Sequence, residues 1–175
     1  HAGLGLARFA QNRLEPAREA LERAVELDPD SASALYWLAV VYDLLERPER
    51  ARELAERAHA LSPKDAHIVN NLGVSYNALG QYQQAVGYLR EALRIKPDFA
   101  EAYYNLGVTL QVLGRTSEAE ANCRRALRLK PDYADAHFAF KRHRLLCSAR
   151  KRGDDAPVGP RVHQFKRKRR GLRSA

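Results

Sequence analysis

Ala24, Ala58, Ala92 and Ala126 lie 34 residues apart, and so do Pro29, Pro63, Pro97 and Pro131. The same interval links Ala17, Ala51, Ala85 and Ala119, and again Leu4, Leu38, Leu72 and Leu106. Gly5, Ala39, Gly73 and Gly107 follow those leucines in turn. Alanine is common in this chain, so one such coincidence carries little weight. Several positions kept in phase over four units constrain the architecture more than any other feature. A period of about 20–50 residues marks supersecondary units that stack, because each alone cannot bury its apolar face. The chain is therefore expected to build a quasi-linear stack rather than a single globular core.

Residues 66–99 show what one unit must be. Val69, Leu72, Gly73 and Tyr76 recur at helical spacing, and Gly80 then interrupts the pattern. Tyr82, Ala85, Leu89, Ala92 and Leu93 define a second helical face that ends before Pro97. Proline inside a helix costs about 3 kcal/mol, so it belongs at the boundary. Asp30, Asp65, Asp98 and Asp132 follow the prolines and suit the start of the next helix. The unit is predicted to be two antiparallel helices joined by a short turn. Glycine within a helix costs about 1 kcal/mol relative to alanine. Gly73 and Gly107 thus imply a close backbone approach, with Ala85 and Ala119 facing them and Tyr42 and Tyr76 filling space nearby.

These residues resemble the tetratricopeptide repeat, a helix–turn–helix unit of about 34 residues. The best match reads Val69, Leu72, Gly73, Tyr76, Ala85, Leu89, Ala92, Pro97. The next reads Tyr103, Leu106, Gly107, Leu110, Ala119, Cys123, Ala126, Pro131, and the preceding one Leu35, Leu38, Ala39, Tyr42, Ala51, Ala55, Ala58, Pro63. The resemblance implies an all-α, right-handed superhelix over residues 1–148. Its repeats fall at about 1–31, 32–65, 66–99 and 100–133, followed by a capping helix at about 134–148.

The resemblance also implies a role: a non-catalytic scaffold that binds a partner protein or extended peptide on its concave face. The first helix of each unit lines that face in the family. The groove candidates are Tyr36, Trp37, Asn70, Asn71, Asn77, Glu101, Tyr104, Asn105 and Gln111. Asparagine offers both a donor and an acceptor, which matches a peptide backbone, and the aromatic residues supply rigid contact area. Some family members hold a terminal carboxylate with a lysine and arginine clamp, but the matching positions here are Asn70, Val74, Glu101 and Asn105. A weaker resemblance is to the superhelix of O-linked N-acetylglucosamine transferases, whose asparagine ladder Asn71 and Asn105 match. On that alternative the chain is the repeat region of a larger glycosyltransferase-like protein. Its catalytic domain would lie outside this sequence.

The phase fails after residue 139. Lys141 stands where Gly107 stood, and no further alanine–alanine–proline series follows. Such a break is also what a shifted reading frame or misplaced chain end would produce. Residues 1–137 hold 17 lysines and arginines against 19 acids, whereas residues 138–175 hold 13 against 2. The overall charge of +9 therefore resides in the C-terminal segment. Residues 149–175 are expected to form a basic, disordered tail. Within it, Lys166, Arg167, Lys168, Arg169 and Arg170 form a patch that nucleic acid or an acidic partner could engage. Nucleic acid is the lesser alternative, because no aromatic ladder or recognition helix accompanies that run.

The six histidines lack HExxH spacing, and the two cysteines, Cys123 and Cys147, make no disulfide framework. Cys123 occupies the apolar slot of Leu89. No phosphate-binding glycine loop or nucleophile elbow is present, so neither a catalytic residue, a metal site nor a cofactor is expected. No apolar run approaches membrane-spanning length, and a cytoplasmic location is favoured. The chain begins in mid-repeat without methionine, which reads as a fragment of a longer protein.

Overall fold

The structure is a computed structural model that describes residues 1–139. Eight helices pair in sequence: α1 (Ala2–Ala10) with α2 (Leu14–Leu27), and α3 (Ala32–Leu44) with α4 (Pro48–Leu61). They are followed by α5 (Ala66–Ala78) with α6 (Tyr82–Ile95), and α7 (Ala100–Val112) with α8 (Thr116–Leu129). Residues 134–139 are again helical, and no strand occurs among the described residues. The architecture is a solenoid of antiparallel helix pairs, the class expected from the period. The rest of the expected capping helix, the tail at 149–175 and the run Lys166–Arg170 lie outside the described residues.

The turn inside each pair repeats one geometry. Asn12, Glu46, Gly80 and Gly114 occupy the same phase, and each adopts a left-handed backbone with φ between 59° and 75°. Glycine removes the Cβ penalty of that conformation and asparagine tolerates it, but Glu46 bears it in full. The amide of each of these residues donates to a carbonyl three residues back, as in Glu46 to Asp43 and Gly80 to Asn77.

Helix starts follow a less uniform rule than the sequence suggested. Asp65 caps α5 as expected, its carboxylate accepting from the amides of His67 (2.8 Å) and Ile68 (3.4 Å). For α3 the cap is Ser31 rather than Asp30, with Oγ accepting from Ala34 at 3.4 Å. At α7 the cap position is Phe99, which makes no capping bond. Its ring is instead buried with Ala66, Val69, Ala92 and Ala102, so apolar burial outweighs one side-chain hydrogen bond at that boundary.

Small residues set the closest contacts, and they vary in compensating pairs. A Cβ built on Gly73 would stand 2.8 Å from Leu89 Cγ and 3.3 Å from the Ala85 carbonyl. One built on Gly107 would stand 2.7 Å from Cys123 Sγ and 3.1 Å from the Ala119 carbonyl. Gly5 meets Leu21 in the same way. In the second unit the roles shift: Ala39 occupies the glycine position and Ala55 stands in the phase of Leu21, Leu89 and Cys123. Volume is thus conserved across the pair, as dense packing demands.

Candidate functional site

Curvature decides which face can hold a partner. α1 touches α3, α3 touches α5, and α5 touches α7. Among the described residues, α2, α4, α6 and α8 touch only odd-numbered helices. A stack whose odd helices converge while the even ones splay curves with the odd helices inside. The inner face is therefore presented by α1, α3, α5 and α7.

An apolar line runs along that face. Leu6, Val40, Val74 and Val108 share one phase and are each half-buried. Leu44 and Val112 share the adjoining phase and are among the exposed large apolar side chains. Leu6 and Leu44 were not among the sequence candidates, although the 34-residue interval places them there.

Polar side chains flank the line, and most are engaged between units. Asn71 is 7% exposed, and its Nδ2 donates to Asp43 Oδ2 at 3.2 Å. Ser75, fully buried, donates from Oγ to the same oxygen at 2.9 Å. Sequence reasoning did not single out Ser75; its only signal was a hydroxyl at the phase of Thr109, inside a helix. Asn105 Nδ2 donates to Asn70 Oδ1 at 3.0 Å, and Thr109 Oγ1 donates to the Asn105 carbonyl at 2.9 Å. The two ladder asparagines thus take different partners: Asn71 reaches α3 through Asp43, and Asn105 reaches α5 through Asn70. Asn77, in the phase of Asp43, keeps an enclosed Oδ1 without a partner. Gln111 is half-buried one unit further on.

The aromatic candidates are partly committed to packing. Tyr36 meets Trp37 edge-on, with ring centroids 5.0 Å apart, and Trp37 meets Phe9 at 5.6 Å. Trp37 also packs on the cluster of Ala17, Leu21, Leu38 and Val41, so much of its area serves the first interface between units. Tyr104 lies against Tyr133 at 5.2 Å. Burial, with Asp135 adding to it, pushes the Tyr104 hydroxyl up to about 12, so it stays a neutral donor. Glu101 pairs with Lys130 at 3.4 Å, and Lys130 covers the Tyr133 ring. His67, Lys96 and Phe99 form the same clasp one unit earlier.

Asp43 is the electrostatic outlier of this face. Burial pushes its carboxyl up to about 7, against the pull of its bonds from Ser75 and Asn71. Glu22 and Glu56 illustrate the usual arrangement. Burial works to raise both, but the hydroxyls of Tyr42 and Tyr76 together with Arg18 and Arg52 outweigh it and hold them low. Among the described residues no three histidine, cysteine, aspartate or glutamate side chains gather as a metal site. No helix there is long and apolar enough to cross a membrane.

Three family models agree with this geometry. Tetratricopeptide repeat models match residues 3–66 and 100–133, and a TPR repeat model matches residues 75–114. The chain belongs to the tetratricopeptide repeat family. No curated protein sequence matches this repeat array. Among solved structures it is similar to TTC0263, a thermophilic TPR protein in Thermus thermophilus. That similarity has 28% identity and a TM-score of 0.77, and it covers 83% of this chain and 80% of that one. YrrB, a TPR protein with an unusual peptide-binding site, has 23% identity and a TM-score of 0.64, over 90% of this chain and 78% of that one. An O-GlcNAc transferase mutant of Thermobaculum terrenum has 24% identity and a TM-score of 0.68. There the array covers only 25% of that chain, with 73% of its own length matched. The last two likenesses are of fold alone. Tetratricopeptide folds are known as scaffolds for protein–protein and protein–peptide interaction.

Proposed function

We propose that this repeat array is a non-catalytic scaffold that holds an extended segment of a partner protein along its inner face. The carrying observation is the line of Leu6, Val40, Val74 and Val108 down the converging helices, bordered by amides and by Leu44 and Val112. An apolar strip flanked by regularly spaced polar groups suits a chain that must bury side chains and satisfy its backbone together. Asn70, Asn71, Asn77, Asn105 and Gln111 border the strip, with Tyr36, Trp37, Tyr104 and Glu101 toward the helix starts. YrrB, of similar fold, is described with a peptide-binding site, which supports the same use of the fold here.

The amide pairs qualify how such a segment is held. Asn71 and Asn105 already bond across units, so they act as positioned members of the groove wall rather than free donors. The test is selection of short random displayed peptides on the full chain. Binding is expected for the wild type and lost in Val74→Asp with Val108→Asp, at unchanged helical circular dichroism. Equal recovery of peptides by that variant would overturn the assignment to this face.

A further inference from the structure

Among the described residues, four buried side-chain atoms have no hydrogen-bond partner: Asp43 Oδ1, Asn71 Oδ1, Asn77 Oδ1 and His59 Nδ1. Three of them are oxygens on α3 and α5, the helices at the centre of the inner face. Buried polar groups are nearly always satisfied, so neighbouring unsatisfied acceptors require an explanation. Asp43 and Asn71 are joined directly through Asp43 Oδ2, and Ser75 donates to that same atom. The donors at this place are therefore spent on one oxygen, and two acceptors remain.

The charge is equally incomplete. The two carboxylates bonded between units by a tyrosine each have an arginine beside them: Arg18 for Glu22, and Arg52 for Glu56. Asp43 has only neutral donors, and no cation among the described residues forms an ion pair with it. A largely enclosed carboxylate is strongly disfavoured until a cation or further donors reach it. Part of the Asp43 residue is exposed while its Oδ1 and that of Asn71 are enclosed, so an incoming donor must shift the side chains that cover them. Val40 and Val74 stand one helical turn before Asp43 and Asn77, so apolar surface borders the approach.

We propose that Asp43 and Asn71 form a subsite for a lysine or arginine side chain of the bound segment, whose N–H groups donate to the two unpartnered oxygens. The proposal rests on the peptide-binding reading above and specifies which residue type that segment carries opposite α3 and α5. One carboxylate beside a neutral amide oxygen fits an N–H donor with an aliphatic stem, which packs on the valine line while its head reaches the oxygens. One unit along, Asn77, Asn105 and Thr109 stand in the phases of Asp43, Asn71 and Ser75. There the formal charge is gone, so the cation preference belongs to a single place in the groove.

Peptides selected on the wild type are sequenced and compared with those selected on Asp43→Asn. That variant is isosteric and keeps an oxygen for Ser75. The wild type is expected to enrich lysine or arginine at one peptide position, and Asp43→Asn to lose that enrichment while still recovering peptides. Replacing the enriched residue by norleucine should weaken binding to the wild type about tenfold or more and leave Asp43→Asn nearly unaffected. Glu53→Gln, exposed on α4 and away from the inner face, should leave the preference intact. Circular dichroism of each variant confirms that it is folded. Wild-type peptides without cationic enrichment, or an undiminished preference in Asp43→Asn, would overturn the subsite while leaving the scaffold reading standing. Recovery of no peptide by the wild type would overturn both.

Discussion

At the scale of single residues, contacts between small side chains dominate. The helices of a pair approach so closely at Gly107 that any Cβ meets Cys123. Gly107→Ala should destabilise the protein by about 1–3 kcal/mol through overpacking. Adding Cys123→Ala recreates the Ala39 and Ala55 combination of the second unit. In a denaturant-melt double-mutant cycle, the pair should therefore cost less than the sum of its members. Additive losses would mean that the two positions do not share one space. Asp43 predicts a pH dependence. Its folded pKa of about 7 lies above the ordinary aspartate value of 3.8. Between those values the folded state holds a proton that the unfolded state has released. Stability is thus greatest below the lower value and falls as pH rises to the upper one, by on the order of a few kcal/mol. Asp43→Asn removes that slope. Melting temperatures taken from pH 4 to pH 8 would contradict this if wild type and variant ran parallel.

At the scale of helices, the interfaces between units are chemically unequal despite their shared phase. Tyr42 donates to Glu22 and Tyr76 donates to Glu56 at 2.7 Å, each carboxylate also held by an arginine of its own helix. At the next interface Val86 replaces the arginine, Arg90 the glutamate and Leu110 the tyrosine. Val86 and Leu110 are buried there with Leu89 and Leu106. Glu22 and Glu56 have lowered pKa values, so their contribution is complete above the ordinary glutamate value and disappears as pH falls through the depressed one. Solvent screening limits each clasp to about 1 kcal/mol. Hydrogen exchange at pH values below the ordinary glutamate value should therefore loosen α2 with α3 before α6 with α7. Uniform loosening would show that the clasps contribute nothing distinctive. The turn at Glu46 makes a second prediction. Glu46→Gly relieves the left-handed strain at a cost in unfolded-chain entropy, leaving a net gain of up to about 1 kcal/mol in thermal unfolding.

At the scale of the molecule, contacts among the described residues reach no further than the adjacent unit, so stability is expected to be a sum of units and interfaces. Leu89→Ala should cost about 2–5 kcal/mol locally and lower hydrogen-exchange protection in α5 to α8 more than in α1 and α2. An equal loss along the whole chain would indicate one cooperative unit. This organisation also explains what could be read in advance. Contacts within a pair are local in sequence and repeat every 34 residues, so the alanine, glycine and proline phases sufficed to determine the helix pairs, their close approaches and the family. The family resemblance, in turn, implied which helices line the inner face, and so the groove candidates. It could not assign partners across units. Asn71 and Asn105 share a phase, yet one bonds Asp43 and the other Asn70, because side chains 28 and 35 residues away compete for the same amide. Nor could it show that Trp37 leans on Phe9, or that Asp43 is enclosed without a cation. Those outcomes depend on how successive pairs are set against one another, which burial and side-chain geometry decide only once the stack is formed. The sequence by itself determined the repeating unit and its internal packing; the tertiary structure alone decided which polar groups of the inner face are spent between units and which keep an oxygen without a hydrogen-bond partner.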